Sequence, residues 1–337
     1  MKWLCAALLS LGLAGAQAAQ SGVLTIRFLD VGQGDAVLIT SPEGKTVLYD
    51  GGRSEVRMRE LLTQYRVKSL ELVAASHGDA DHITGLIPAV NLFRPKLFLN
   101  NGISATTQTW AKLLGSVQAA GTAGLVASPR VITLGSVKLT VLPPPAGMPS
   151  TDQNLNSVGL LVQYGAFKAL MTGDSETAET AGWLRAYPAS FLGPVDVYKS
   201  IHHGAANGDN AAWLAAVRPR NVVVSVGPNN YGHPTAAALK LYQNAGATLY
   251  RTDLNGTVTV TVQPGGAFAL RTEQGTGVRP PTAPAVPRPV PAAPPPAPGV
   301  FYPNCAAARA AGITPLLRGQ PGYRSGLDGD GDGRACE

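Results

Sequence analysis

Histidine is scarce in this 337-residue chain, with five copies, and cysteine scarcer still, with three. Aromatic residues make up 6% and charged residues 14%. So few cysteines exclude a disulfide-dense scaffold or a multi-cysteine zinc module. After the first twenty residues no apolar run approaches the ~20 residues a membrane helix needs, which excludes an integral membrane segment from the mature chain. Low aromatic content leaves no recognisable stacking surface for single-stranded nucleic acid. With 45% apolar residues the chain is globular, and its length predicts one large domain or two unequal ones. A formal charge of +6 and a pI near 9.3 allow attraction to polyanions such as nucleic acid, teichoic acid or an acidic membrane, and select none of them.

At the start, "MKWLCAALLSLGLAGAQAAQ" joins a lysine, a short apolar run and small residues ending in Ala16–Ala18, the pattern of a secretory signal peptide over 1–18. Cys5 falls inside it. That leaves Cys305 and Cys336, an even pair that in an exported protein predicts one disulfide.

From Val23 to Arg271, β-like runs alternate with helical segments. Strands are expected at "VLTIRFLD", "DAVLIT", "KTVLYDGG", "LELVAAS", "KLFLN", "SVKLTVL", "VGLLVQYG", "FKALMTGD", "VDVYKS", "NVVVSVG", "TLYRT", "GTVTVTV" and "AFALRT". Helices are expected around "EVRMRELLTQYR", after Gly85, and at "TWAKLLGSVQAAG", "AETAGWLRAY" and "TAAALKLYQNAG". Two sheets with helices outside fit this order best, an α/β class. The expected division is a main domain over 19–274, a proline-rich linker over 275–300, and a module over 301–337 too small for a full core, which needs the cysteine pair and an acidic loop as staples.

What histidine there is concentrates in two places. "SHGDADHITGL" packs His77, Asp79, Asp81 and His82 behind an apolar strand, a ligand set suited to zinc or manganese. His202 and His203 follow "VDVYKS", and His233 follows "NVVVSVG". Every histidine therefore lies beyond a strand's end before a glycine-containing turn, as do Asp50 in "LYDGG" and Asp174 in "LMTGD". Taken singly, each aspartate reads as a turn or helix cap. Taken together, the loops are expected to converge on one site.

The motifs "FLDVGQGDAVLI", "LYDGG", "SHGDADHITGL", "NSVGLLVQYG", "LMTGD", "HHGAANG" and "GHPTAAAL", in this order, resemble the metallo-β-lactamase superfamily, and within it the ComEC-like competence hydrolase domain, over Val23–Arg271. No membrane helices of that group's polytopic channel are expected in this sequence. The resemblance implies an αββα metallo-β-lactamase sandwich with two divalent transition metals, Mn or Zn. His77 and Asp79 would bind the first and Asp81 and His82 the second, with Asp174 as the bridge and His202 completing the second site. Catalysis would then rest on Asp81, on His203 and His233 at the scissile phosphate or leaving group, and on Asp50 behind a ligand imidazole. Two departures stand out. Asp79 replaces the second histidine of the usual HxHxDH motif, and no histidine lies between His82 and Asp174 to supply the usual third ligand; Asn154, Asn156 and Ser157 are the residues available there. More oxygen and less nitrogen shifts the preference from zinc toward manganese.

In the tail, "LDGDGDGRACE" places Asp328, Asp330 and Asp332 at alternate positions before Gly333, the opening of an EF-hand-type loop, with Glu337 two residues short of that loop's usual last carboxylate. With "NCAAARAAG" and "PGYRSGLD" it resembles the excalibur calcium-binding domain, which implies a disulfide- and calcium-stabilised module and a secreted or cell-surface setting. The expected activity is that of an exported metal-dependent phosphodiesterase or DNase with DNA as substrate. The rivals are a β-lactamase or other amide or ester hydrolase on the same fold, and a non-catalytic calcium-dependent binder of cell wall or cell surface.

Overall fold

The computed structural model describes residues 22–278 and, in the tail, 302, 304–310, 314–318, 322–329 and 333–336. The expected signal peptide and most of the expected linker lie outside the described residues.

Among the described residues 22–278, fifteen strands form two sheets. The first six, β1 (Leu24–Phe28), β2 (Val37–Thr40), β3 (Thr46–Tyr49), β4 (Leu72–Ala74), β5 (Leu97–Asn100) and β6 (Ala123–Val126), lie in chain order in one sheet. The second holds β7 (Arg130–Leu134), β8 (Val137–Leu142), β9 (Gly159–Tyr164), β10 (Phe167–Met171), β11 (Val197–Lys199), β12 (Asn221–Val224) and β13 (Thr248–Arg251), again in order. The chain then returns to the first sheet, where β14 (Val258–Val262) pairs with β1 and β15 (Phe268–Thr272) closes the edge.

Alternation along each strand explains the layering. Leu24, Ile26 and Phe28 of β1, Val258, Val260 and Val262 of β14, and Phe167, Ala169 and Met171 of β10 meet in one core between the sheets. Central strands are buried on both faces, so Val47 and Tyr49 enter that core while Leu48, between them, faces helices Glu55–Gln64 and Leu86–Phe93 in a second core. Val222 and Val224 of β12 join Leu170, Trp183 and Trp213 in a third, under the helices of the other sheet. Three cores separate four layers, the αββα sandwich. Tyr49 couples the sheets directly, its hydroxyl donating to Val158 O at 2.6 Å.

Helix starts follow their sequence signals. Ser54, Thr107, Asn210 and Thr235 each accept a backbone N–H of the first turn. Strands β6 and β7 and helix Ala211–Val217 are additional to the sequence reading. Each is short, and Ala and Gly in β6 carry little strand signal. Val278 is bridged to Leu249 of β13 by a pair of backbone hydrogen bonds of 2.9 and 2.8 Å, so the residues just after 274 are still attached to this unit.

The tail is a second compact unit. Helix Cys305–Ala310 and a two-residue strand pair, Leu316–Leu317 with Arg334–Ala335, enclose a small core of Ala308, Leu316, Leu327 and Ala335. The Cys305–Cys336 disulfide joins its ends. Asp328 is buried, accepting from Tyr323 Oη and from Gly333 N at 3.0 Å. Asp330, Asp332 and Glu337 lie outside the described residues. No helix among the described residues is long and apolar enough to cross a membrane.

Candidate metal centre

Parallel pairing brings the ends of β3 and β4 side by side, and likewise those of β10, β11 and β12. Asp50 follows β3, Ser76 to His82 follow β4, Asp174 follows β10, Lys199 ends β11, and His202 and His203 form the turn just after it. All of these chain segments converge.

Close packing of the loops depends on two glycines. A Cβ on Gly34, at φ +131°, would sit 2.2 Å from Asp81 O, and one on Gly173, at φ +57°, would sit 2.6 Å from Ser76 Cβ. Glycine is required at both by conformation and by space. The first seats Asp35 against the Asp81 loop, where its N–H donates to Asp81 O at 3.2 Å. The second presses the end of β10 onto the β4 loop.

Three imidazoles are oriented by the same device. His82 Nδ1 donates to Asp50 Oδ2 at 3.0 Å, His77 Nδ1 to Ser76 Oγ at 2.9 Å, and His203 Nδ1 to Ser225 O at 2.9 Å. Asp50 also accepts from Ser76 N at 2.7 Å and from Ser76 Oγ at 2.8 Å. With each Nδ1–H engaged, the Nε2 lone pair of each ring faces inward. None of those three buried Nε2 atoms, nor Asp174 Oδ1, has a hydrogen-bond partner among the described residues. They nevertheless crowd one another: Asp174 Oδ2 lies 3.1 Å from His82 Nε2 and 3.2 Å from His203 Nε2, and Asp81 Oδ2 lies 3.5 Å from His203 Nε2. Ligand atoms of His77, His82 and Asp174, and of Asp81, His82 and His203, each fall within 4.8 Å of one another. Buried, unpaired and convergent nitrogen and carboxylate atoms are the donor set of a divalent transition-metal site, so the residues fit the metals that the fold implies.

The electrostatics agree. Burial works against charge on His82 and His203, yet Asp174 with Asp50 and Asp35 outweighs it and raises both imidazoles well above the usual histidine range. Burial disfavours the Asp174 carboxylate, but the His203 and His82 rings hold it well below its ordinary value. Such a site attracts positive charge, as protons or as a cation.

Asp35 and Lys199 also belong to the cluster, and the sequence reading missed both. Lys199 is fully buried, its Nζ paired with Asp35 Oδ2, 3.2 Å from Gly173 O and 3.8 Å from Asp174 Oδ1. Burial pulls its pKa down, but Asp35 and Asp174 together raise it. A lysine in the otherwise apolar strand "VDVYK" and an aspartate in "GQGDAVL" were the available signals.

Other expected residues fall differently. His202 and His203 differ in how deeply the turn places them. Both have left-handed backbone, at φ 50° and 54°, which turns His203 inward to 1% exposure and leaves the His202 side chain 20% exposed, 3.7 Å from Asp174. His203 thus points into the converging group and His202 lies at its edge. Asp79 is half-exposed, its Oδ2 3.6 Å from His77 Nε2, and belongs to none of the converging groups. Asn156 Nδ2 is committed to Pro149 O and Asp152 O, and Ser157 Oγ accepts from Asp174 N, so these two build the turn under Asp174. Asn154 keeps a buried Oδ1 with no hydrogen-bond partner among the described residues. His233 lies next to His202, ring centroids 5.6 Å apart, outside the cluster.

Comparisons with known proteins place the chain in a family. A family model described as the metallo-beta-lactamase superfamily matches residues 29–227, and the Excalibur calcium-binding domain matches 302–337. The chain is 26% identical over 255 residues to ComE operon protein 3 of Bacillus subtilis, covering 69% of this chain and 32% of that one. It is 29% identical over 253 residues to competence protein ComA of Neisseria gonorrhoeae, covering 72% and 33% respectively. It spans about a third of the length of these relatives. Among solved structures, CmlA, a diiron beta-hydroxylase from Streptomyces venezuelae, aligns over 72% of this chain and 54% of its own, at 18% identity and a TM-score of 0.49.

Proposed function

The chain belongs to the metallo-beta-lactamase superfamily, and from that premise we propose that it is an exported, metal-dependent phosphodiesterase that hydrolyses DNA outside the cytoplasm. The observation that carries this reading is the meeting of three unpaired Nε2 atoms with Asp174 and Asp81 at the strand ends, with two further histidines standing clear at the rim. The competence relatives support DNA as the substrate, and the Excalibur match supports a surface setting.

His77, His82, His203, Asp81 and Asp174 would hold divalent ions, with manganese or zinc as the candidates. Bound there, such ions supply Lewis acidity toward the phosphate and an attacking water of lowered pKa. The remaining work falls to the chain itself. Asp50 and the Ser225 carbonyl keep Nδ1 protonated on His82 and His203, which fixes Nε2 as the free donor atom. Lys199 sets one positive charge permanently against Asp35 and Asp174, limiting repulsion among the carboxylates. His202 and His233 face the rim, where each can bond a phosphate oxygen, and His233 can pass a proton to the leaving oxygen.

The direct test is incubation of the secreted form of the protein with DNA and with a chromogenic β-lactam, under Mn²⁺, Zn²⁺ or chelator. Metal-dependent DNA cleavage is expected, with His233→Ala lowering it by roughly 10²–10⁴-fold at unchanged metal content. Cleavage of the β-lactam alone would identify an amide hydrolase instead, and binding of cell wall or DNA with calcium but no cleavage would identify a non-catalytic binder.

A further inference from the structure

A second group of side chains stands over the metal centre and has no part in holding it. Tyr231 is 61% exposed, the most exposed aromatic among the described residues of the larger unit, yet it is not loosely held. Asn229 ties its loop from inside: Nδ2 donates to Gly227 O and His233 O, each at 2.8 Å, while Oδ1 accepts from Tyr231 N at 3.0 Å and His233 N at 3.1 Å. The Tyr231 ring stacks on His233 at 5.7 Å between centroids and 29° between planes. Its hydroxyl lies 3.5 Å from the guanidinium of Arg53, whose side chain is 51% exposed.

These contacts form a closed circuit through the site. From Asp174 the path runs to His202 Nε2 at 3.7 Å, then between ring centroids to His233 at 5.6 Å and to Tyr231 at 5.7 Å. From Tyr231 it continues to Arg53 at 3.5 Å, to Asp81 at 3.8 Å, to His203 at 3.5 Å and back to Asp174 at 3.2 Å. Tyr231 and Arg53 therefore occupy one side of the rim, one step out from the rim histidines. An exposed aromatic face on a loop fixed by four hydrogen bonds loses little entropy on binding a flat ligand. An exposed arginine beside it offers a planar set of donors for a phosphate.

We propose that Tyr231 and Arg53 form a nucleotide subsite in which the Tyr231 ring stacks an unpaired base next to the scissile phosphate and Arg53 takes the neighbouring phosphate, so that single-stranded DNA is the preferred substrate. A base lying on Tyr231 has left its partner strand, and duplex substrates must spend free energy on that unpairing. The proposal rests on the phosphodiesterase reading for its substrate, and the test separates the two.

The full-length protein with Mn²⁺ is compared on one oligodeoxynucleotide, on the same strand annealed to its complement, and on the strand with an abasic residue beside the cleavage position. The wild type is expected to prefer the single strand and to lose about 10- to 100-fold in kcat/KM on the abasic strand, the usual worth of one base stack. Tyr231→Ala is expected to lose a similar factor on the intact strand and to stop distinguishing it from the abasic one, while Tyr231→Phe keeps the distinction. Arg53→Gln is expected to raise KM and to flatten the salt dependence by roughly 0.7 in log–log slope, one phosphate contact on a single strand. Equal losses for Tyr231→Ala on intact and abasic strands, or cleavage of duplex as fast as single strand, would overturn the subsite while leaving the phosphodiesterase standing. If the wild type cleaves no DNA, fluorescence anisotropy under chelator decides: tighter binding of the intact than of the abasic strand, lost in Tyr231→Ala, retains the subsite, and equal binding refutes it.

Discussion

Replacing Asp50 by asparagine should perturb the proposed metal centre without removing any of the residues proposed to hold the ions. Asp50 sits at φ 57°, a left-handed conformation that asparagine adopts readily and alanine only at a cost of ~1–2 kcal/mol, so Asn isolates the loss of charge. An amide in its place can still accept from Ser76 N, now 2.7 Å away, and can donate to Ser76 Oγ, but the group facing His82 Nδ1 becomes a donor. His82 must then give up that bond or move its proton to Nε2, the atom 3.1 Å from Asp174 that would face the metal. A charge-assisted hydrogen bond of this kind is worth about 1.5–3 kcal/mol. Loss of an outer partner of a metal-bound histidine lowers affinity about 10- to 100-fold. At about 1.4 kcal/mol per tenfold, the two figures agree. Competitive titration of Mn²⁺ or Zn²⁺ against a chelating dye, with circular dichroism to establish that the variant is folded, should show that loss. A folded Asp50→Asn protein binding metal within about twofold of wild type would refute the argument that Asp50 sets the His82 tautomer.

The remaining predictions address other buried charges. Asp209 accepts from Tyr198 Oη and Tyr242 Oη at 2.7 Å and from Ile201 N at 2.9 Å, but burial dominates and raises its carboxyl to about 6. Because the folded protein favours the protonated form, this group's stabilising contribution is fully present below about pH 4 and lost as pH rises through about 6, a total of roughly 3 kcal/mol at 1.36 kcal/mol per unit. Denaturant melts should therefore show Asp209→Asn gaining on the wild type between pH 4 and 7, and a pH-independent difference would count against this. Lys199→Met should destabilise the metal-free protein by about 3–5 kcal/mol, since Asp35 and Asp174 lose their buried counter-charge, and added Mn²⁺ should recover part of the loss in thermal melts; a loss below about 1 kcal/mol would contradict the role given to Lys199. In the tail, reducing Cys305–Cys336, 31 residues apart in sequence, should remove about 3–4 kcal/mol and unfold the module at low calcium. NMR of the full chain would detect this as loss of the dispersed Leu316 and Ala335 signals, and their persistence after reduction would show that the small core suffices alone.

Much of this molecule is written locally. The period-two patterns of "LTIRF" and "VTVTV" determine strands with one inward face, and polar caps such as Thr107 and Thr235 determine where helices start, because both depend only on neighbouring residues. The crowding of His77, Asp79, Asp81 and His82 behind a buried strand reads as a candidate metal loop for the same reason, although Asp79 stays outside the converging groups. Pairings between distant residues depend on register and on the crossing of two sheets, and no window of sequence contains them. Asp35 meets Lys199, and Asp50 meets His82, only once the strand ends are aligned by the fold. The inward member of the His202–His203 pair was likewise decided by two left-handed backbone angles, held in place when Ile201 N is fixed by Asp209 and His202 N by Gly173 O. Tyr231 reads in sequence as one more loop aromatic. Its place at the rim follows from Asn229 closing the loop and from the convergence of β12 with the strands beside it, because a side chain's role at a site is set by what the rest of the fold brings within its reach.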